Sequence, residues 1–226
     1  MPNKKSIYLA ILNEGTVRVE LISVLLELIR QGKYDLIIRF PNDKPITFNR
    51  NNIVKAFLKS PCDYLMMIDD DIIPPTTILN LVDFQQDCIG ALCFAYTQGM
   101  IVPIAWKRKA DGKYWIANLG GREGLAEVDA VGTGCIILSR KLLSEKWFLE
   151  NGGWFKNEYD KTGYKVEGND IAFCRKAQDL GYKIYTHTDY PCSHMVSMDL
   201  KRIYANLSDQ NSDQDQTTNN LNYKVV

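Results

Sequence analysis

The sequence has no excess of charge of either sign and no long apolar run. Its 27 lysine and arginine side chains match 27 aspartates and glutamates, so no overall electrostatic field attracts the chain to nucleic acid or to an anionic membrane. Every apolar stretch is shorter than the roughly 20 residues that a membrane-spanning helix needs. We therefore expect no nucleic-acid partner and no integral membrane segment.

The six cysteines include no Cys-x-x-Cys pair. Most of them lie within apolar segments, such as GALCFAY (90–96) and GTGCIILS (132–139). This pattern predicts buried, reduced thiols rather than disulfides or a zinc site, and it is typical of a cytoplasmic protein. The amino-terminal segment holds a short apolar run but no small-residue cleavage site, so we expect no signal peptide.

Short apolar runs alternate with segments of helical periodicity through the first part of the chain. The predicted strands are 6–12, 35–40, 64–68 and 88–96, and the predicted helices are 17–31, 49–60 and 76–86. This alternation indicates an α/β fold with a mostly parallel central sheet flanked by helices. Ligands of such folds bind beyond the carboxyl ends of the strands.

The second half of the chain is more varied. Its predicted elements are an antiparallel hairpin over 103–119, a strand and helix over 128–143, a helix over 168–181 and a strand over 182–195. From about residue 206 the composition is polar and nearly devoid of core-forming residues, which favours disorder. We therefore predict one domain over 1–205 and a disordered tail over 206–226.

Three consecutive aspartates, Asp69, Asp70 and Asp71, follow the apolar strand in YLMMIDDDIIPP (64–75). Like charges this close repel one another unless a cation or solvent lies among them. One interpretation is a solvated loop, or a helix start that one aspartate caps. The other is a metal site, because an Asp-x-Asp pair at a strand end presents oxygen ligands that suit Mg²⁺ or Mn²⁺ carrying a diphosphate.

The segment IDDDIIPP resembles the Asp-x-Asp signature of GT-A glycosyltransferases, particularly family 2. Three further segments resemble the same family in the same order: FNRNNIVKAFLKSPCDYLMMIDDD (48–71), VGTGCIILSRKLL (131–143) and EGNDIAFCRKAQDLGYKIYTHTDYPCSH (167–194). The resemblance covers about residues 45–196, and the order and spacing of the segments are its specific feature. It implies a single GT-A (Rossmann-like) domain and the use of a nucleotide-sugar donor.

The resemblance also implies a metal site. Asp71 would bind the divalent cation directly, and Asp69 would contact the ribose or reach the metal through water. Asp70 lies between them on the nucleotide side. His194 would be a more distant metal ligand, and a mixed imidazole and carboxylate set favours Mn²⁺ slightly over Mg²⁺. The alternative for His194 is an ordinary surface or hydrogen-bonded histidine.

Asp170 is the candidate catalytic base that the resemblance implies. It opens a predicted helix whose positive end favours the ionised carboxylate, which can deprotonate an acceptor hydroxyl in an inverting transfer. The alternative is simple helix capping, and a retaining transfer stays open if Asp170 lies far from the acceptor. Asn169 departs from the family, which usually has an acid there, so the orientation of the acceptor is in doubt.

The donor nucleotide is expected near Arg50 and Asn52, although an arginine at a helix start is commonly just solvated. Asn13 or Glu14, after the first strand, would hydrogen-bond a uracil. This amino-terminal region is the weakest part of the resemblance, because a proline-containing strand exit is usual there.

Aromatic side chains in the second half suggest an acceptor platform. These side chains are Trp106, Tyr114, Trp115, Trp154 and Phe155. The alternative is that they belong to the core, where aromatics are common. The glycine-rich, polar segment 151–168 has the composition of a loop that closes over a donor, or of an ordinary mobile loop.

The sequence therefore predicts a metal-dependent glycosyltransferase that moves a sugar, with inversion, from a UDP-sugar to a glycan or other hydroxyl-bearing acceptor. A haloacid dehalogenase-type phosphohydrolase is an alternative, but its motif has Thr or Val where Ile73 stands and lies on the first strand. A sugar nucleotidyltransferase would need a glycine-rich loop, which LNEGTVRVE (12–20) is not. A non-catalytic nucleotide-sugar binder stays open because of Asn169.

Overall fold

The computed structural model describes residues 4–97, 100–197, 199 and 201. Its strands in this part of the chain are β1 (Ser6–Leu12), β2 (Asp35–Arg39), β3 (Tyr64–Asp69), β4 (Ile72–Ile73), β5 (Cys88–Leu92), β6 (Phe94–Thr97), β7 (Met100–Pro103), β8 (Ala105–Arg108), β9 (Tyr114–Ile116), β10 (Leu125–Val128), β11 (Ala130–Val131), β12 (Cys135–Ser139), β13 (Glu158–Tyr159), β14 (Lys165–Glu167), β15 (Ile184–Pro191) and β16 (Ser193–His194). Its helices are α1 (Val19–Gln31), α2 (Ile46–Lys59), α3 (Arg140–Leu143), α4 (Lys146–Glu150) and α5 (Asn169–Asp179), with a 3-10 helix at Ile78–Phe84. The predicted tail 206–226 and the predicted domain boundary at residue 205 lie outside the described residues.

The central sheet has seven strands in the order β10-β15-β5-β12-β3-β1-β2. Strand β1 runs parallel to both β2 and β3, and β15 runs parallel to β5. Strand β12 is antiparallel to its neighbours β3 and β5, and β10 is antiparallel to β15. Following these pairings across the sheet, β2, β1, β3, β5 and β15 run in one direction and β12 and β10 run in the other. The predicted α/β fold with a mostly parallel central sheet is confirmed in this sense.

The two faces of the sheet are covered by different helices. Odd-numbered residues of β1, such as Leu9, pack with Leu25 of α1, and even-numbered ones, such as Ala10, pack with Val54 of α2. Successive side chains of a strand face opposite sides of its sheet. Because both faces are covered, β1 reads in the sequence as a continuous apolar run rather than an alternating one.

The segment predicted as a helix over 76–86 forms a 3-10 helix, Ile78–Phe84. Its buried side chains are Ile78, Leu79, Leu81 and Val82. With three residues per turn, Ile78 aligns with Leu81 and Leu79 aligns with Val82, so the buried side chains form two neighbouring rows. The helix ends at Gln85, which has a positive φ of 54°.

The strand predicted over 88–96 is interrupted at Cys93. Strand β5 stays in the central sheet, whereas β6 leaves it and pairs with β7 in a separate two-stranded sheet. The predicted hairpin around Asp111 and Gly112 is present as β8 and β9.

All six cysteines are buried and free. In the described part of the chain, no helix has the length and apolar character that crossing a bilayer requires.

Candidate functional site

The three aspartates lie at the carboxyl end of β3, on the wall of a cavity of about 280 Å³. The amide of Asp69 donates to Gly134 O at 2.9 Å, and that of Asp70 donates to Leu12 O at 2.9 Å. A Cβ atom at Gly134 would lie 3.2 Å from Cγ1 of Ile72 and 3.6 Å from Oδ2 of Asp69. Glycine at 134 therefore leaves room for the acidic turn to pack against β12.

A two-residue antiparallel ladder brings His194 to Asp71. Strand β16 pairs with β4, with His194 opposite Ile72, and the amide of Met195 donates to Asp71 O at 2.8 Å. The imidazole Nε2 of His194 then lies 3.2 Å from Oδ2 of Asp71. Two residues that are 123 positions apart in the chain thus share one site.

The backbone of β6 orients the His194 ring. Its Nδ1 lies 2.6 Å from the carbonyl oxygen of Phe94, and because a carbonyl can only accept, Nδ1 carries the proton of this hydrogen bond. In the neutral ring, Nε2 then has a lone pair that faces a carboxylate oxygen of Asp71. Two lone pairs in contact need a proton or a cation between them. A metal-bound histidine commonly donates its other ring N–H to a carbonyl in this way.

The His194 nitrogen and the Asp71 carboxylate suit a divalent cation that also binds water or phosphate oxygens. Among the described residues, no group of three or more His, Cys, Asp or Glu side chains is assembled to enclose a metal ion. Asp71 and His194 form an open pair instead. Mg²⁺ and similar ions bind through one or two protein groups and complete their shell with water and phosphate oxygens.

Asp69 is held by a buried ion pair with Arg50, whose side chain lies on α2 and is only 8% exposed. The guanidinium Nη2 lies 3.1 Å from Oδ2 and 3.3 Å from Oδ1 of the carboxylate. Burial raises the pKa of the Asp69 carboxyl, the Arg50 charge opposes that shift, and the nearby charge of Asp71 adds to it. Arg50 therefore supplies the positive charge that the aspartate cluster needs on one side.

Arg50 also connects the aspartates to the start of α5. Its Nη1 donates to Oδ1 of Asn169 at 2.9 Å, and the amide of Asn169 donates to Oδ1 of Asn157 at 3.1 Å. Asn169 thus places a neutral oxygen against the guanidinium. In the described part of the chain, the carboxylate of Asp69 is the one that pairs with Arg50.

Asp170 follows Asn169 in the first turn of α5 and is partly buried. Its Oδ1 accepts a hydrogen bond from the amide of Ile171 at 2.9 Å. The Arg50 guanidinium contacts both Asn169 and Asp69. It therefore bridges the first turn of α5 and the end of β3.

Asn13, Glu14 and Asp70, which were also predicted to contact the nucleotide, line the cavity. The amide nitrogen of Asn13 donates to Ile11 O and Pro41 O, and its Oδ1 accepts from Gly15 N.

Asn52 lies outside that lining. Its amide donates to Oδ2 of Asp43 at 3.1 Å, in an exposed contact. Asn52 thus contacts the cavity wall through Asp43, which belongs to the lining.

The contacts of two neighbours of Arg50, Asn49 and Asn51, were not predicted from the sequence. Asn49 is 1% exposed and lines the cavity. The Asn51 side chain accepts from the amides of Trp154 and Phe155 and donates to Phe155 O. The string NRNN (49–52) resembles a solvated helix face, so periodicity alone does not reveal these roles.

The predicted aromatic platform is wrong for two of its members. Trp154 and Phe155 are buried, and the Phe155 ring stacks on Phe173 with centroids 4.7 Å apart. They belong to the core beneath α5, where they cannot contact a sugar in solvent. Trp115 is 52% exposed on the β8–β9 hairpin, with Lys109 over its ring. The segment 151–168 contains a small hairpin, β13 and β14.

No protein-family model matches the chain, and a comparison with curated proteins finds no match. Among solved structures, the chain is similar to A197 from STIV, at a TM-score of 0.54 and 16% identity, over 85% of this chain and 86% of that one. It is also similar to GalNAc-T7 crystallised with UDP, GalNAc and Mn²⁺, at a TM-score of 0.49 and 12% identity, over 88% of this chain and 45% of that one. For TarS 1-349 of S. aureus the TM-score is 0.45 and the identity 14%, over 82% and 60%.

At these identities the likeness concerns the fold alone. The similarity to A197 extends over most of both chains. The chain therefore shares its α/β fold with A197, and in this chain that fold is the mixed seven-stranded sheet with the acidic end of β3.

Proposed function

We propose that this protein is a metal-dependent glycosyltransferase that moves a sugar from a nucleoside diphosphate sugar, with a UDP-sugar favoured, to an acceptor hydroxyl. The observation that carries the proposal is the contact between His194 Nε2 and Asp71 Oδ2 at 3.2 Å, with Nδ1 fixed by the Phe94 carbonyl. Asp71 lines the cavity at the end of β3, where ligands of α/β folds bind, and His194 lines the neighbouring pocket beside β6.

Asp71 and His194 would hold Mn²⁺ or Mg²⁺ between a carboxylate oxygen and an imidazole nitrogen. A bound cation supplies positive charge that stabilises the departing diphosphate. Asp69, fixed by Arg50, would orient the donor nucleotide through its ribose. Because the Arg50 to Asp69 pair is formed within the protein, this orientation needs little rearrangement on binding.

Asp170 would act as the general base. It would accept the proton of the acceptor hydroxyl as that oxygen attacks the anomeric carbon. The diphosphate leaves on the opposite side, so the configuration at that carbon inverts. Asn169, tied to Arg50 and Asn157, would hold the first turn of α5 and thereby the direction of the Asp170 carboxylate.

The test is calorimetric binding of UDP with and without Mn²⁺, followed by UDP release from a panel of UDP-sugars and acceptors. We expect UDP binding that EDTA removes, and slow UDP release that an acceptor accelerates. Phosphate release from a phosphomonoester would support the phosphohydrolase instead. Pyrophosphate release from UTP and a sugar 1-phosphate would support a nucleotidyltransferase.

A second candidate, a non-catalytic nucleotide-sugar binder, is favoured by one observation. The residue that faces Arg50 at the start of α5 is the neutral Asn169 rather than an acid. Metal-dependent UDP binding without turnover across the acceptor panel would support this function over transfer.

A further inference from the structure

The pocket beside β6 has a volume of about 500 Å³ and opens next to the proposed metal site. Its apolar lining comes from the β6–β7 hairpin and from the segment around β16, and it includes Phe94, Tyr96, Ile101, Pro191 and Val196. Pockets of this volume with a mostly apolar wall are typical binding sites for small molecules. Of the described residues that line it, His194 alone takes part in the proposed cation site.

The pairing of β6 with β7 builds one wall of this apolar pocket. Phe94 and Tyr96 are two positions apart in β6, so their side chains share one face of the hairpin. Ile101 of β7 lies directly opposite Tyr96 and therefore belongs to the same face. All three residues line the pocket. Alternate residues of a short hairpin thus give a continuous apolar surface.

The apolar pocket differs in charge from the acidic cavity at the end of β3. The acidic cavity is lined by five carboxylates, those of Glu14, Asp43, Asp69, Asp70 and Asp71. The described residues that line the pocket include no Lys, Arg, Asp or Glu, and hydroxyl or imidazole groups come only from Tyr96, Ser193 and His194. A carbohydrate needs hydrogen-bond partners for most of its hydroxyls when it is buried. The pocket therefore suits an uncharged, apolar group.

The mouth of the pocket is apolar as well. Tyr96, Ile101 and Val196 line the pocket and are 44%, 75% and 48% exposed. Met100, beside Ile101 in β7, is 58% exposed. Neighbouring exposed apolar side chains commonly mark a ligand-binding groove or an interaction surface. A ligand chain longer than the pocket can therefore continue over an apolar surface.

His194 connects the pocket to the proposed transfer site. Its Nε2 atom faces Oδ2 of Asp71, which lines the acidic cavity, whereas His194 itself lines the pocket. The proposed cation position, between these two atoms, thus lies where the acidic cavity and the apolar pocket meet. The nucleoside diphosphate belongs with the cation on the acidic side, which leaves the pocket for the second substrate.

We infer that the acceptor is an amphiphile, a hydroxyl-bearing head group on an alkyl chain, and that the apolar pocket binds the chain; this rests on the proposed function. Each methylene that leaves water for an apolar site adds a similar increment to the affinity. Acceptor affinity should therefore rise with chain length until the chain fills the pocket.

The test measures binding of butyl, hexyl and octyl β-D-glucoside to the full chain by calorimetry, below their micelle-forming concentrations. These probes share one head group and differ only in chain length. We expect the dissociation constant to fall about threefold to fourfold for each added methylene, and so about 100-fold or more from butyl to octyl. This series needs no variant, so it does not depend on how any variant folds.

The Ile101→Asp variant then assigns the effect to the pocket. The Ile101 side chain is largely exposed, so the change is compatible with folding, and it sets a carboxylate against the alkyl chain at the mouth. The ratio of the butyl to the octyl dissociation constant should fall to within about tenfold. Val166→Asp is the matched control, because Val166 is 61% exposed on another hairpin, β13–β14. It should retain the full ratio.

Three results would overturn the inference and leave the metal and diphosphate site standing. The first is an affinity that does not depend on chain length, or an undiminished ratio in Ile101→Asp. The second is competition between octyl glucoside and UDP with Mn²⁺, because donor and acceptor must bind together. The third is a dimer, detected by sedimentation, that octyl glucoside dissociates, because a second copy of the chain would then occupy the apolar surface.

The proposed function fails in a different way. Absence of Mn²⁺-dependent UDP binding, with the chain-length effect intact, overturns the transferase and leaves an apolar pocket that binds alkyl chains.

Discussion

His194 is fixed from two sides, by the Phe94 carbonyl at Nδ1 and by the Asp71 carboxylate at Nε2. The Nδ1 atom donates to the Phe94 carbonyl, and Nε2 either carries a second proton that Asp71 accepts or presents its lone pair to a cation that both side chains bind. The structure brings His194 and Asp71 together, and the role of His194 as a metal ligand stays a prediction.

His194→Ala should lower the Mn²⁺-dependent affinity for UDP by at least about tenfold, because one cation ligand is lost. Calorimetry with saturating Mn²⁺ measures this change. Ser193→Ala, an exposed neighbour on β16, is the matched control and should bind as wild type. Unchanged UDP affinity in His194→Ala would remove this residue from the metal site.

Asp170→Asn should leave UDP binding intact and lower transfer by about 100-fold or more, the usual size of a lost general base. The amide keeps the size of the side chain, and its oxygen can still accept from Ile171 N. Steady-state UDP release with acceptor, beside calorimetry, measures the two effects separately. Transfer retained at the wild-type rate would show that another group accepts the proton.

Arg50→Met should lower the free energy of unfolding by about 3 kcal/mol, because Asp69 loses the partner that offsets its burial. Urea denaturation at neutral pH measures the change. Asn169→Asp is the complementary variant, since it places a second carboxylate 2.9 Å or so from the Arg50 guanidinium, and it should stabilise the protein. Destabilisation by Asn169→Asp would mean that Arg50 is already fully compensated by Asp69.

At the scale of elements, helix α2 organises the site by sending three successive side chains in three directions. Asn49 contacts Pro41 in the loop after β2, Arg50 contacts the end of β3 and the start of α5, and Asn51 contacts the segment before β13. Consecutive helical residues are about 100° apart around the axis. Three adjacent polar residues can therefore hold three different segments of the chain around α2.

Asn51→Ala should lower the free energy of unfolding by about 2–3 kcal/mol, because the buried amides of Trp154 and Phe155 lose their acceptor. Asn52→Ala on the same turn removes only an exposed contact with Asp43. This variant should change the free energy of unfolding by less than about 0.5 kcal/mol. Urea denaturation of both variants tests the difference. Similar stabilities would show that the Asn51 contacts contribute little.

At the scale of the whole molecule, the sheet could be predicted because strands covered on both faces read as continuous apolar runs. The acidic end of β3 was predictable for the same reason, since strand ends define the ligand edge. The 3-10 helix was not, because its buried residues fit a short α-helix equally well over so few positions.

The roles of Asn49 and Asn51 could not be predicted either. Each is decided by a loop from elsewhere in the chain, near residue 41 or residue 154, that packs on α2. Hydrophobic periodicity records which apolar side chains face the core, but it does not record which polar ones a distant loop will cover. The burial of Trp154 and Phe155 was ambiguous in the sequence for a similar reason.

The residues proposed to bind the cation and the nucleotide belong to several elements. Binding of Mn²⁺ and UDP should therefore stabilise the whole fold. Mn²⁺ with UDP at about 100 times its dissociation constant should add about 2.7 kcal/mol to the free energy of unfolding, which corresponds to a rise in Tm of roughly 5–10 °C for a chain of this size. Differential scanning fluorimetry measures this, with Mn²⁺ alone and UDP with EDTA as controls. Asp71→Ala should retain the Tm of the ligand-free protein and lose the rise. A full rise in Asp71→Ala would mean that the nucleotide binds without the cation site at the end of β3.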